Sequence, residues 1–486
     1  MPRRLAPALA LASLLLSTAS CASAAAPRPG GPVRGISQSE MRQGQQAHPQ
    51  LMAEFGGAFA GPQADYVRRV GQRVAVQSGL ANADRDFTVT LLNSPVNNAL
   101  AIPGGYVYVT RQLLALLNDE AELAAVLGHE VGHVAARHSA SRSTRSTIGG
   151  LLAGVLGVVT GSPELGQIAG QFAQLYTLRY SRQQEYESDD LGIRYLGGAG
   201  YDQQAMATAL ASLAAQNSLD ARLAGQDARS LPEFASTHPD PGARVDRAAR
   251  RAQAAPAAGR LRNRDAFLTA IDGLLYGDDP QQGIVDGRTF RHPVLRLEFM
   301  APSGFQMANG TRAVSITGRG GQALFSTGPY RGDLADYVGR VFAGLSSQGG
   351  VPAGQVRTTR INGLPAAYAS TRARSQQGTI DVTVVAYEFD RDSAYHFVTI
   401  TAAGQGTGPF TPMIDSLRRL TPAEAARIPV REIDVVTVRA GDTAQSLAQR
   451  MAFDDAKLDR FLVLNRLAPD ARLAPGDRVK LVVFRR

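Results

Sequence analysis

The sequence predicts a multidomain α+β protein: a mainly helical amino-terminal domain with a small sheet, then an α+β domain, then a small βααβ unit. Three observations carry this expectation. The 486 residues exceed the roughly 100–200 that one ordinary core uses. Residues 35 to about 251 are patterned mainly as helices, with one strand pair near Phe87–Leu92 and Leu100–Thr110. From about His292 the texture changes, and Thr379–Phe389, the turn Asp390–Ser393 and Ala394–Thr401 spell a β-hairpin.

Composition narrows the class. With 44% hydrophobic and 19% charged residues the chain is globular, not generally disordered. The formal charge of +9 rests almost wholly on arginine, Lys457 and Lys480 being the only lysines. Because the arginines are scattered and not gathered with aromatics into a stripe, they read as a solvated surface, and no nucleic-acid partner is expected.

Residues 1–24 read as an export signal: Arg3 and Arg4, an apolar run from Leu5 to Leu16, then small residues. The mature chain is therefore expected in the periplasm or at the outer membrane. Cys21 is the only cysteine, so no internal disulfide forms. It follows Ser17-Thr18-Ala19-Ser20 as in a lipobox, whereas Ala22-Ser23-Ala24 offers a cleavage site that leaves a soluble protein; both alternatives stay open. Ile148–Thr160, with 13 residues, is short of the ~20 needed to span a bilayer and reads as a buried helix or a flap over a cleft.

Ala252–Gly259 reads as a linker or a fraying helix. Within an α+β domain at 285–422, helices are expected to begin at Asp333 and near Pro412. His292 and His396 have no ligand-spaced partner there and read as structural. A second linker, Thr421–Asp434, leads to the small unit at 435–484.

The chemistry concentrates in "GHEVGHVAARHS", residues 128–139, which holds three of the seven histidines. Asp119 can cap a helix whose third position is Glu122, in a capping-box arrangement. At 100° per residue His133 falls about 40° from His129, so the two imidazoles stack one turn apart. Ala125, Gly132 and Ala136 line the adjoining flank, which suits the close approach of another element. His138 falls about 180° away and is expected to bond within the core.

His129-Glu130-x-x-His133 is the pattern in which two neutral imidazoles hold Zn²⁺ and the intervening carboxylate activates water. One Zn²⁺ per chain is expected, with a third protein ligand. The glycine and histidine of one common solution are excluded by Ala136 and Ser139. "YSRQQEYESDDLG", Tyr180–Gly192, offers another: Glu185 as ligand and Asp189, one turn on, as the acceptor that orients a histidine N–H. Glu187 points about 200° from Glu185.

The pairing of these motifs resembles the gluzincin metallopeptidases that include the HtpX, BepA-type periplasmic and CAAX prenyl endopeptidases. Their Glu-x-x-Ala-Asp is matched by Glu185-Tyr-Glu-Ser188-Asp189, with serine replacing alanine, and their His-Pro segment by "THPDPGAR" with His238 and Arg244. "NNALAIPGGYVYVT", Asn97–Thr110, resembles their strand beside the cleft, an edge that an extended substrate could join. The likeness covers roughly 36–255 and implies a zinc metallopeptidase domain at 35–255. It implies that Glu130, His238 and Arg244 are catalytic, the latter two stabilising the developing oxyanion; in some members the histidine instead caps the metal, and both roles stay open.

Val436–Val483 resembles a LysM module in Gly441-Asp442-Thr443, Asn465 and Pro475-Gly476, although Ala444 stands where leucine is common. The resemblance implies binding of N-acetylglucosamine glycans such as peptidoglycan; the alternative is a structural cap. The expected function is a zinc endopeptidase acting on misfolded or misassembled envelope proteins, against two alternatives: a non-catalytic assembly chaperone and a peptidoglycan-associated hydrolase.

Overall fold

The computed structural model describes residues 35–138, 180–223, 238, 240–256, 260–345, 353–375 and 378–485. The export signal with Cys21 and the apolar segment 148–160 lie outside the described residues. Among those described, no helix is long and apolar enough to cross a membrane.

The amino-terminal region starts with helices α1 (Gln38–Glu54) and α2 (Pro62–Ala75). Proline in the first turn of α2 costs no hydrogen bond, and Val67, Val70 and Val74 recur along one buried face. Strands β1 (Thr88–Leu92), β2 (Ala99–Ile102) and β3 (Tyr106–Thr110) form a sheet in the order β1-β3-β2. The expected single strand to Thr110 is thus a hairpin. Pro103 cannot extend the ladder, and Gly104 and Gly105 turn the chain with φ of 88° and 83°. Among the described residues β2 is thus paired on one side only, with β3.

Next come α3 (Arg111–Leu116), α4 (Glu120–Ala135), α5 (Arg182–Gly198), α6 (Ala205–Leu223), α7 (Pro241–Ala254) and α8 (Arg264–Ile271). The stretch from Ala252, read as a linker or a fraying helix, is helical to Ala254.

Residues 284–420 build two sheets. Strands β5 (Ile284–Asp286), β6 (Thr289–His292) and β7 (Leu297–Met300) join β15 (Arg418–Arg419). The larger sheet orders β11 (Arg357–Ile361), β12 (Leu364–Ser375), β13 (Gly378–Glu388), β14 (Ala394–Ala402), β10 (Gly321–Thr327), β9 (Ala313–Gly318) and β8 (Phe305–Asn309). The hairpin β13–β14 closes through Phe389 N–H to the Ser393 carbonyl at 2.9 Å. Alternation along β13 buries both faces: Val385 and Tyr387 meet Phe299 and Phe397, while Val382, Val384 and Ala386 pack with Tyr337 and Phe342 of α9 (Leu334–Gly344). Helix α10 (Thr411–Ser416) closes the first face through Met413 and Ile414.

The segment expected to link onward contains a short helix, α11 (Pro422–Ala426), and its last residues open strand β16 (Arg431–Thr437). They are held because β16 pairs with β17 (Arg478–Phe484) on one side and with β4 (Leu275–Tyr276) on the other. With α12 (Ala444–Gln449) and α13 (Lys457–Leu464) between them, β16 and β17 make the βααβ unit. Its core is continuous with the amino-terminal one: Ile433, Phe461 and Leu481 belong to the same buried cluster as Val74, Leu123 and Leu127.

Candidate metal centre

Helix α4 is the spine of the site. Asp119 caps it, accepting the Glu122 amide at 2.9 Å. The expected reciprocal bond does not form, because Glu122 instead accepts the Asn118 amide at 2.8 Å. Leu123, Leu127 and Val131 face the core. The small-residue flank is filled by α5: a Cβ on Gly132 would lie 3.2 Å from the Ser188 backbone, and one on Gly192 3.2 Å from the His129 amide. This close crossing is what glycine allows, and it sets the Glu185 and Asp189 carboxylates against the histidine pair.

His129 Nε2 and His133 Nε2 are 3.0 Å apart. Glu185, fully buried, places its oxygens 3.5 Å from His129 Nε2 and 3.6 Å from His133 Nε2. His238 Nδ1 lies 3.3 Å from His129 Nε2 and 3.1 Å from Glu185 Oε1. Among the described residues these four are the group able to hold a metal ion, their ligand atoms all within 4.8 Å of one another. Zinc bonds of about 2.0–2.1 Å put the corners of a tetrahedron ~3.3 Å apart. The measured separations bracket that value, so the donor set fits zinc.

Each ring has a partner on its far nitrogen. Asp189 Oδ1 accepts from His129 Nδ1 at 3.0 Å. His133 Nδ1 meets His138 Nδ1 at 2.9 Å, and His138 Nε2 lies 3.3 Å from Glu187. The expectation that His138 faces away from the pair is therefore corrected. The wheel carried the helix through residue 138, but it ends at Ala135; Arg137 turns left-handed at φ 57°, and the His138 amide reaches back to the His133 carbonyl at 3.0 Å. This Schellman turn folds the imidazole onto its neighbour.

Arg244 also departs from expectation. Buried on α7, it gives Nε to Asp189 at 2.9 Å, Nη2 to Asp189 at 2.5 Å and Nη1 to Glu185. Nε, Nη1 and Nη2 all reach the two carboxylates of α5, and Nη2 also lies 3.3 Å from His129 Nδ1, so in this arrangement it braces these groups. His238, by contrast, does face the cleft: its Nε2 is 3.3 Å from the Ala99 carbonyl on β2 and 3.4 Å from Glu130 Oε1. Tyr180 stacks on the His133 ring with centroids 3.4 Å apart. Neither Tyr180 nor Glu187 was singled out from sequence as a site residue. The tyrosine directly precedes the Ser181 cap of α5, the one local hint of its placement.

Electrostatics follow from these neighbours. Burial by itself lowers the pKa of His129, but hydrogen bonds to Asp189 and Glu185 outweigh it and push the value up to about 9. His133 is held well below the usual imidazole value by burial and then by the neighbouring His129. Burial would raise the Glu185 carboxyl, yet His238 and Arg244 hold it well below the usual range. A small pocket adjoins His133, lined by Ile36, Leu80, Ile102, Pro103 and Val134, with Glu40 and Arg137 also on its wall.

Residues 62–252 match the family described as Peptidase family M48, and residues 436–482 match the LysM domain. Mitochondrial metalloendopeptidase OMA1 of Schizosaccharomyces pombe is 34% identical over 210 residues, covering 42% of this chain and 59% of that protein. Its namesake in Arabidopsis thaliana is 32% identical over 154 residues, 32% of this chain and 29% of that protein. The Beta-barrel assembly-enhancing protease of Escherichia coli is 32% identical over 196 residues, 38% of each chain. The chain thus spans less than two thirds of the length of these relatives. Its helical region carries a domain of that peptidase family, and its carboxyl-terminal region a LysM domain.

Proposed function

We propose that this protein is a zinc endopeptidase that hydrolyses peptide bonds of misfolded or misassembled cell-envelope proteins. The observation that carries the reading is the convergence of His129, His133 and Glu185 on one point beside Glu130. Bound zinc would supply a water acidified toward pKa ~7 and a Lewis acid for the carbonyl.

The chain does the rest. Glu130 takes the proton from the attacking water and returns it to the leaving amine. An extended substrate adds to the open side of β2, where the Ala99 carbonyl accepts its amide. His238 meets that carbonyl through Nε2 while its Nδ1 lies among the other candidate ligand atoms and would hold a metal ion with them, so a substrate strand joining at Ala99 would have to displace it. Once displaced, its Nε2 is positioned to donate to a developing oxyanion, the second role the resemblance allows. Asp189, braced by Arg244, keeps His129 oriented through the cycle.

The Escherichia coli relative is named for β-barrel assembly, which supports an envelope setting; the export signal, with either acylation of Cys21 or cleavage after Ala24, belongs to the same proposal. The LysM domain supports peptidoglycan as a partner and also favours a second reading, a hydrolase of wall cross-bridges. Incubating the full chain with casein and with peptidoglycan, each with and without a chelator, separates the two. Chelator-sensitive casein cleavage, lowered ~10²–10⁴-fold in Glu130→Gln, is expected. Undiminished cleavage by that variant would refute the assigned base.

A further inference from the structure

The LysM domain touches the peptidase domain at one chemically unusual point. Lys480, on β17, is fully buried, and its Nζ lies 2.7, 3.1 and 2.6 Å from the carbonyl oxygens of Ala115, Leu116 and Leu117. Ala115 and Leu116 close α3 and Leu117 caps it, so no further helical amides serve these carbonyls. Three acceptors use all three donors of an ammonium, and a cation is favoured at a helix carboxyl terminus. The LysM fold itself aims the side chain: Asn465 Oδ1 accepts the Lys480 amide at 2.8 Å and its Nδ2 donates to the Lys480 carbonyl at 2.9 Å.

Two further ties reach the same junction. Arg466, in the turn after α13, meets buried Glu122 at 2.9 Å, and Glu122 in turn accepts the Asn118 amide. Arg264 of α8 joins the Asn118 carbonyl at 2.7 Å to the Arg478 carbonyl of β17 at 3.0 Å. Residues 115–118 and the first turn of α4 are thereby fixed from the LysM side. His129 follows nine residues after Glu120 on α4, roughly 14 Å along a rigid helix at 1.5 Å per residue.

We propose that Lys480 and Arg466 are positioning residues for the metal-ligand helix, making the LysM domain a working part of the peptidase and not only a tether. The idea rests on the zinc-peptidase reading. A helix whose first turn is anchored keeps His129 and His133 in register with Glu185 on α5. Loosening that anchor lets the ligand pair shift against its third partner while the fold survives. Burial holds the Lys480 pKa well below its ordinary value, with the Glu122 carboxylate opposing that shift only in part, so the anchor rests on the three carbonyl contacts.

The test uses the full chain with Lys480→Met, a neutral residue of similar length, and with Arg466→Gln, a side chain one-third exposed in the native protein that is replaceable without a cavity. Cobalt(II) is loaded in place of zinc and its visible spectrum recorded. Casein kinetics of the zinc form and amide exchange over residues 115–130 and over β16 and β17 complete the set. The expected result is protection retained in β16 and β17, faster exchange at 115–130, an altered cobalt spectrum, and kcat lowered roughly tenfold with KM little changed. Should Lys480→Met not fold, Arg466→Gln is expected to show the same pattern more weakly. Lower thermal stability with an unchanged spectrum and unchanged kcat in the folded variants would overturn the proposal. A wild-type chain without chelator-sensitive cleavage would defeat the peptidase reading, while the spectrum and exchange would still decide the positioning role.

Discussion

Buried histidines occur in two regions of this molecule, and His129 in one behaves oppositely to His292 and His396 in the other. In the central sheet domain His396 bonds the Tyr337 hydroxyl at 2.8 Å, His292 accepts the Leu295 amide at 3.2 Å, and burial takes both to about 4. At the junction of α4 and α5, His129 is as deeply enclosed yet is pushed up to about 9 by carboxylate partners. Burial alone makes a neutral imidazole that serves packing. Burial beside Asp189 and Glu185 makes a site that favours positive charge on the ring, with Nδ1 held by Asp189 and Nε2 turned to the other ligand atoms, where a metal ion would replace the proton.

The comparison breaks most decisively at the ligands. His133→Ala is expected to abolish both zinc retention and casein cleavage, whereas His396→Asn leaves both at wild-type level; metal analysis of the two purified variants checks this.

Acidification is expected to weaken the sheet domain next. Folding lowers the His396 pKa from 6.5 to about 4, so between those values the unfolded chain binds the extra proton. The stabilisation is therefore complete above pH 6.5 and is lost as pH falls toward 4, by at most roughly 3 kcal/mol. Urea unfolding followed through the tyrosines of the sheet reads it. A slope unchanged in His396→Gln would show that other groups dominate.

Smaller effects sharpen the distinction among the partners. Asp189→Asn keeps a hydrogen-bonding group but removes the charge that orients His129, and is expected to cost about 10–100-fold in zinc affinity or kcat. His138→Asn, acting on His133 through one contact, is expected to fall at or below the lower end of that range. Equilibrium dialysis against zinc, together with casein kinetics, ranks the two.

Much of the centre was readable from local chemistry. Asp119, the spacing of His129 and His133, and the one-turn step from Glu185 to Asp189 are properties of single helices. What escaped depends on where helices stop and what packs across them. His138 was misplaced because a left-handed Arg137 is invisible to a helical wheel. Arg244 was placed by resemblance near the reacting carbonyl, and only the crossing of α7 over α5 shows its donors spent on carboxylates. Strands β2 and β3 were read as one because both are apolar on either side of a short turn. Glu432 and Ile433 looked like linker because their partner strand, Leu275–Tyr276, is distant in sequence. Lys480 was conspicuous only as one of two lysines; its carbonyl partners lie in another domain.

The coordination sphere is the claim on which the rest stands, and X-ray absorption at the zinc edge of the purified full chain tests it most directly. One zinc per chain, bound by imidazole nitrogen and carboxylate oxygen near 2.0–2.1 Å and lost in Glu185→Ala and His129→Ala, is the expected result. Zinc that is absent from the native chain, or retained with an unchanged spectrum in those variants, would contradict it.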